Sequence, residues 1–378
     1  MPYITIRQSP AYHQITFDEI IAGTTNIAPL ITSNESNTRT HFSEFLDYAF
    51  LERFNFENMI DKLEKFCEMY KHLYEVDRES LYETFHIPKK TKGFREINAP
   101  CSELMNALRM LKTILEKDMM ALYHTSAFAY VPGRSTIDAV KKHQFNNSNW
   151  FLKTDFSNFF GNTTPNFLLH MLSMIFPFSQ IMKYQRGRDA LEKALDLCFL
   201  KGGLPQGTPI SPMLTNLMMI PIDHRLSNEL RKVEGKHYVY TRYADDIQIS
   251  SRCSFNQREV VEYIMQVLRE FEAPFTIKAE KTRYGSKAGS NWNLGVMLNK
   301  DNNITVGHKN KQRFRASISN YILDRKNGVK WEIHDVQVLS GMISYYTMIE
   351  PEYVNSVICF NNEKYHTDVM RSIKEDLS

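Results

Sequence analysis

The sequence is short of the features that announce a compartment, a membrane or a metal cage. Its five cysteines, Cys67, Cys101, Cys198, Cys253 and Cys359, are scattered, with no CxxC pair and no metal-ligand spacing. That pattern excludes a zinc site and fits a reduced, cytoplasmic compartment. No window approaches the roughly 20 apolar residues needed to cross a bilayer, and the N-terminus lacks a basic stretch followed by an apolar one. Neither export nor a membrane is expected. Charge of one sign is also missing: 46 Lys and Arg stand against 43 Asp and Glu, a formal +3. So mild a balance does not point to nucleic acid, and any basic groove must come from local clustering. Internal repeats, heptads and low-complexity tracts are absent too.

What is present is an ordinary globular composition, 43% apolar and 24% charged over 378 residues. A sizeable core can form, and the length predicts two or three lobes. Up to about Asn37 the sequence is mixed, with turn formers and no helical period. From about Phe42, apolar positions recur at three- and four-residue steps through Tyr70, as a helix face requires. Tyr82 to Ala99 reads as two short strands joined by a basic turn at Lys90 to Gly93. A helical pattern runs from Ser102 to about Leu122, and a second helix starts near Ser135, capped by Ser135 with Asp138 three positions on. Trp150 to Asp155 is a compact strand ending in a carboxylate, and the cluster Gly161 to Pro165 opens the next helix. Lys201 to Pro209 is a loop, after which Ser211 is expected to cap a helix with Pro212 at its first position. The last seventy or so residues read as mainly helical.

The chemistry concentrates in YVYTRYADDIQISS, Tyr238 to Ser251, where two β-rich runs flank Ala244, Asp245 and Asp246. This is the pattern of a hairpin with two carboxylates at its tip. Adjacent carboxylates raise each other's pKa, so both ionise comfortably only beside a cation. A bare Asp pair is also an ordinary turn. The second acidic strand end, Asp155 in WFLKTDFSNFF, changes that balance. Mg²⁺ prefers one or two carboxylates with waters and phosphate oxygens, so carboxylates from two neighbouring strands suit two-metal phosphoryl transfer. Between them, GGLPQGTPISPMLTNLMM is a Gly/Pro-shaped loop opening onto a helix, whose backbone N–H groups and Gln amide can hold a nucleotide.

In order and spacing, KTDFSNFF, LPQGTPISPMLTN and YADD resemble the palm motifs of reverse transcriptases. The likeness is to the bacterial branch containing group II intron, retron and stand-alone, defence-associated unknown-group enzymes, and it extends from about Tyr82 to the C-terminus. It implies an α+β right-hand polymerase fold: fingers, a palm with an antiparallel sheet, and a short helical thumb, preceded by an N-terminal helical extension. The corresponding divisions are 1–80 for the extension, 81–150 for the fingers, 151–300 for the palm with a fingers-derived insert near 165–205, and 301–378 for the primer-grip junction and thumb. The activity implied is RNA-directed DNA polymerisation, a nucleotidyl transfer.

Residue roles follow from the same resemblance. Asp155, Asp245 and Asp246, with the backbone carbonyl of Phe156, would hold two Mg²⁺ ions, for which Mn²⁺ can substitute. Lys89 or Lys90 and Arg95, in the fingers hairpin, would grip the triphosphate of a deoxynucleotide. Phe160 would be the aromatic gate against a ribose 2′-hydroxyl, and Gln206 and Gly207 would lie along the incoming nucleotide. Lys281, in IKAEKTRYG, matches the lysine that protonates pyrophosphate. Arg134, in GRSTIDAVKKH, belongs to a segment that supports template and palm. His308, Lys309, Lys311, Arg313 and Arg315, with Phe314 interleaved, suit a duplex backbone.

Retron enzymes usually carry NAxxH before the first palm strand and VTG near the primer grip. Here Asp138, Ala139 and a displaced His143 stand at the first place, and Asn293, Leu294 and Gly295 at the second, which favours a stand-alone unknown-group enzyme over a standard retron one. The chain is also too short to carry a maturase or endonuclease region. The expected partners are a dedicated RNA template, DNA product and deoxynucleotides, with a second protomer or partner protein left open. Three alternatives remain: untemplated or protein-primed DNA synthesis at the same site, retron-type synthesis of RNA-linked DNA, and an inactive RNA-binding scaffold.

Overall fold

The computed structural model describes residues 54–89, 93–116, 122–288 and 295–378. The expectations for the first part of the extension, for Lys90 and for Asn293 and Leu294 lie outside them.

Helix α1, Phe56–Met69, starts at Asn55, whose side chain accepts from the amide of Asn58 at 2.9 Å. Its apolar face, Met59, Ile60, Leu63, Phe66 and Cys67, is buried in the main core. Each large apolar side chain so buried contributes about 1.5–3 kcal/mol of transfer free energy. The helix packs on α6, Gln185–Asp196, where Arg186 meets Glu57, Asp61 and Glu64. The end of the extension therefore shares one core with the 165–205 insert. The insert's other helices are α4, Pro165–Leu172, capped by Thr164, and the short α5, Phe178–Ile181.

Strands β1, Tyr82–Pro88, and β2, Phe94–Pro100, form the antiparallel fingers hairpin. Helix α2 follows over Ser102–Glu116, and residues 117–121, over which its apolar period continues toward Leu122, lie outside the described residues. Helix α3, Thr136–Phe145, begins with the Ser135–Asp138 capping box expected from its sequence.

The palm is a four-stranded antiparallel sheet in the order β4-β5-β3-β6. Its strands are β3, Trp150–Asp155; β4, Val239–Tyr243; β5, Asp246–Ser251; and β6, Arg283–Ser286. Both faces of β3 are covered. Leu152 lies in the main core, while Phe151 joins Val140, Val296 and Leu298 on the opposite side. Beneath the sheet run α7, Ser211–Met218, α8, Ile220–Lys232, and α9, Gln257–Glu270. Ser211 proves not to cap α7. It is the helix's first residue, and Thr208 Oγ1 accepts from its amide at 3.3 Å and shares a hydrogen bond with its hydroxyl at 2.6 Å, so the loop threonine serves that end.

A small hairpin, β7 Met297–Leu298 and β8 Ile304–Thr305, leads to the thumb helices: α10 His308–Lys326, α11 Ile333–Ile349, α12 Pro351–Tyr365 and α13 Val369–Leu377. These helices have a core of their own, from Phe314 and Ile318 to Val369 and Ile373. Glu350 ties it to the hairpin, accepting from Thr305 Oγ1 and the Val306 amide, both at 2.9 Å. No described helix is long and apolar enough to cross a membrane.

Candidate active site

The site forms where β3 and the β4–β5 hairpin end together. Tyr243 pairs with Asp246, which leaves Ala244 and Asp245 as the turn. Ala244 has a φ of +56°, a left-handed conformation that a methyl side chain tolerates at some cost. Asp155 is the ladder partner of Asp246, and the amide of Phe156 donates to the Asp245 carbonyl at 3.1 Å. Strand register thus delivers the three aspartates to one end of the sheet.

The Asp155 side chain is only 5% exposed and carries two ammonium groups on one oxygen: Lys281 Nζ at 2.6 Å and Lys278 Nζ at 3.1 Å from Oδ2. Lys278 Nζ also lies 3.4 Å from the Phe156 carbonyl oxygen. The other oxygen, Oδ1, is buried with no hydrogen-bond partner. Burial pushes the carboxyls of Asp245 and Asp246 above their ordinary range, and the neighbouring aspartates push the same way. The hydrogen bond to Asp155 holds Lys281 more firmly protonated than a free lysine. Among the described residues no three metal-ligating side chains close into a ready-made cage. The donor set still fits a hard divalent cation: an orphaned buried oxygen, carboxyls that gain from neutralisation, and a carbonyl already beside an ammonium. Such ions need only one or two carboxylates plus waters and substrate phosphates.

Behind the hairpin lies a buried polar network. Arg242 and Asp223 of α8 are both fully buried, joined by Nε and Nη2 contacts of 2.8 and 2.7 Å. Tyr240 donates to Asp223 at 2.7 Å, and Arg242 Nη1 reaches both Asn216 Oδ1 and the Ala244 carbonyl, at 3.2 and 3.1 Å. Asn216 in turn donates to the Ala129 carbonyl at 2.7 Å.

Phe160 is half-buried, its ring edge-on to Phe159, and its carbonyl accepts the Leu204 amide at 3.0 Å. Its chain therefore runs beside the Gly203–Gly207 loop. That loop also meets the fingers: the Asn98 amide donates to the Gln206 carbonyl at 2.7 Å. Gly207, at φ +119°, sits so close that a Cβ would fall 2.8 Å from the Asn98 carbonyl. Gln206 is half-buried and Gly207 exposed. Arg95 and Lys89 are exposed on the fingers hairpin, where the Lys89 amide closes the turn on Gly93 at 2.9 Å.

Several sequence expectations are corrected. Arg134 faces inward: Nη1 donates to the carbonyls of His124 and Ala127 at 2.6 and 2.7 Å, and Nη2 to that of Tyr123 at 3.2 Å. It braces its own loop instead of presenting a free cation to a phosphate. Phe314 is buried in the thumb core and stands apart from the surface cations. Lys311 is paired with Glu350 at 2.5 Å and lies 4.6 Å over the Tyr353 ring. Lys309, Arg313 and Arg315 are exposed on α10, as is His308.

The sequence reading missed Lys278, the Arg242–Asp223 pair and Tyr130. The first had a signal, since Lys278 and Lys281 stand three residues apart across the short 3₁₀ turn Ala279–Lys281. The others depend on contacts between distant segments.

Comparison with known proteins agrees in outline. The family model for reverse transcriptase (RNA-dependent DNA polymerase) matches residues 87–312. The Escherichia coli retron Ec83 reverse transcriptase is 29% identical over 78% of this chain and 90% of its own length. The retron Ec73 enzyme of the same species is 25% identical over 75% and 86%. The Myxococcus xanthus retron Mx162 enzyme is 29% identical over 73% and 59%. Among solved structures, apo telomerase of Candida tropicalis matches with a TM-score of 0.45 and 11% identity, over 82% of this chain and 65% of that one.

Proposed function

The chain belongs to the reverse transcriptase family and is an RNA-directed DNA polymerase, and from that premise we propose that it copies a dedicated, associated RNA into DNA at the palm carboxylates. One observation carries the assignment of the site: Asp155, Asp245 and Asp246 meet at one sheet end, with two lysine ammoniums on Asp155 and an orphaned carboxylate oxygen beside them. Divalent ions, Mg²⁺ by preference and Mn²⁺ as substitute, would be held by the three aspartates and the Phe156 carbonyl. Bound there, they supply charge neutralisation and acidify the attacking hydroxyl.

The remaining work falls to the chain's own groups. A primer 3′-hydroxyl gives up its proton to water as its oxygen attacks the α-phosphorus of a deoxynucleotide, the bond to the bridging oxygen breaks, and pyrophosphate leaves. Lys281, kept protonated, gives its proton to that leaving group. Arg95, with Lys89 or Lys90, neutralises the triphosphate from the fingers side. The Phe160 ring leaves no room for a ribose 2′-hydroxyl, and Gln206 and Gly207 run along the nucleotide. Exposed Lys309, Arg313 and Arg315 on the thumb meet the duplex backbone.

The test is to purify the protein with its accompanying RNA, add Mg²⁺ and labelled deoxynucleotides, and sequence the product beside an Asp245→Asn control. DNA complementary to the bound RNA supports the reading. DNA without a match would replace it with untemplated or protein-primed synthesis. A second reading has its own support. The relatives just described are retron enzymes, so DNA that stays joined to RNA after protease treatment would assign retron-type synthesis. A role in anti-phage defence rests on resemblance to the stand-alone enzymes, and loss of plaque reduction with Asp245→Asn would support it.

A further inference from the structure

Tyr130 is an aromatic residue in an unusual position. Its neighbours in the chain, Phe128, Ala129 and Val131, are all buried, whereas Tyr130 is 53% exposed. Its φ is +58°. For a bulky side chain this is a real outlier, with a cost on the order of 1–3 kcal/mol, and such residues persist where the surroundings over-determine them.

The surroundings do so here. The Phe128 amide donates to the Arg242 carbonyl at 2.9 Å, and the Arg242 amide to the Ser126 carbonyl at 2.7 Å, which adds this loop to the β4 edge of the palm sheet. Asn216 clamps Ala129, and Arg134 gathers three carbonyls of the segment before Tyr130. One buried network thus fixes both the acidic turn and the loop that presents this ring.

The ring's place follows from the sheet order. The loop lies outside β4, while Asp155 and Phe160 belong to β3 and its continuation, on the far side of the β4–β5 turn. The Tyr130 hydroxyl is within electrostatic reach of Asp245, Tyr243 and Arg95. A nucleotide held at its phosphates by Arg95 and at its sugar by Phe160, as proposed above, would have its base on the β4 side of the turn. There its pairing partner must be supported. Every nucleobase has an aromatic face, and a rigidly held ring supports one without reading its identity.

We propose that Tyr130 is the platform for the templating nucleobase, stacking on it as the new pair forms. The inference rests on the polymerase site proposed above and adds a residue that contacts the template. The ring supplies the stacking surface, and the phenolic hydroxyl is dispensable.

The experiment uses the full-length protein and an RNA template carrying 2-aminopurine at the templating position, annealed to a DNA primer. Stacking on Tyr130 quenches the fluorophore. Wild type and Tyr130→Phe should quench equally, and Tyr130→Ala and Tyr130→Asn should not. This readout needs binding only and is repeated in an Asp245→Asn background, so it stands or falls separately from catalysis. In steady-state incorporation, removing the ring should lower kcat/KM roughly 5- to 150-fold, the equivalent of one base stack. Tyr130→Asn controls for folding, because asparagine tolerates the left-handed conformation and should melt no lower than wild type. On a template with an abasic site at that position, the Asn variant and wild type should perform alike. Undiminished quenching in both ring-less variants, or an equal penalty on the abasic template, would overturn the proposal.

Discussion

Arg242 donates from Nη1 to the carbonyl oxygen of Ala244, 3.1 Å away, so a fully buried side chain three residues before the acidic pair holds the backbone of the turn that carries it. The same guanidinium is paired with Asp223 of α8, so the turn is referenced to the helix layer under the sheet as well as to its own strand. A left-handed Ala244 at the tip is a conformation that needs such support.

Breaking this pair should be costly. Asp223→Asn leaves a buried guanidinium without its counter-charge, and Arg242→Lys replaces a planar fork serving three acceptors with a single ammonium. Each should lose about 3–5 kcal/mol in urea denaturation. Incorporation should also fall at temperatures where the variant is still folded, because the turn loses its tether. A loss of stability below about 1 kcal/mol for Asp223→Asn would show that the network is incidental.

Phe160→Ala should admit ribonucleotides. The Phe160 main chain runs beside the Gly203–Gly207 loop, held there by the Phe160 carbonyl to Leu204 amide bond, so removing the ring should open space without moving the backbone. The measurement is the ratio of kcat/KM for a deoxynucleotide to that for the matching ribonucleotide. The ratio should collapse toward unity, and an unchanged ratio would contradict the gate.

Lys281 and Lys278 share one carboxylate oxygen but should differ in function. Lys281→Ala should reduce kcat about 10²- to 10⁴-fold, the usual range for a lost general acid. Lys278→Ala should chiefly weaken nucleotide or metal affinity, seen as a raised KM or a raised metal requirement. Equal effects on both parameters would mean that the pair acts only as a charge on Asp155.

Two buried histidines set the acid side of the stability profile. His143 sits between Ser250 Oγ and Thr241 Oγ1 at 2.6 and 2.8 Å, and burial pushes its pKa down to about 3. His124 is likewise lowered by burial and by the ring of His224 beside it. Both are neutral in the folded state, while in the unfolded chain they take up protons near pH 6.5. Their contribution is complete above that value and is lost as the pH falls, at up to about 1.4 kcal/mol per pH unit for each histidine. Denaturation midpoints should drop steadily from pH 7.5 to 5, and His143→Gln should flatten the slope. A level profile would contradict the burial of uncharged rings.

Much of this was legible in the sequence because it rests on local rules. The Ser135–Asp138 capping box, the strand from Trp150 to Asp155 and the Ala244–Asp245 turn each depend on a few consecutive residues. So does the thumb's helical content. The rest depends on meetings between segments. Asp223 reads as an ordinary acid in the first turn of a helix until the fold brings Arg242 to it. Arg134 reads as a free cation until its loop closes around it, and Lys311 until Glu350 arrives. Tyr130 reads as one more core aromatic, since neither its positive φ nor its exposure leaves a mark on composition or period. The end of the extension was legible as a helix face, but that the face is buried against the insert was not.

The most direct measurement of the central claim is RNA-templated incorporation of deoxynucleotides by wild type and Asp245→Asn, with thermal melting run in parallel. Burial and neighbouring carboxylates already disfavour the ionised form of Asp245, so the neutral amide should melt at the same temperature or higher. Templated synthesis should meanwhile fall to background. Full incorporation by Asp245→Asn would contradict a site built on these three aspartates.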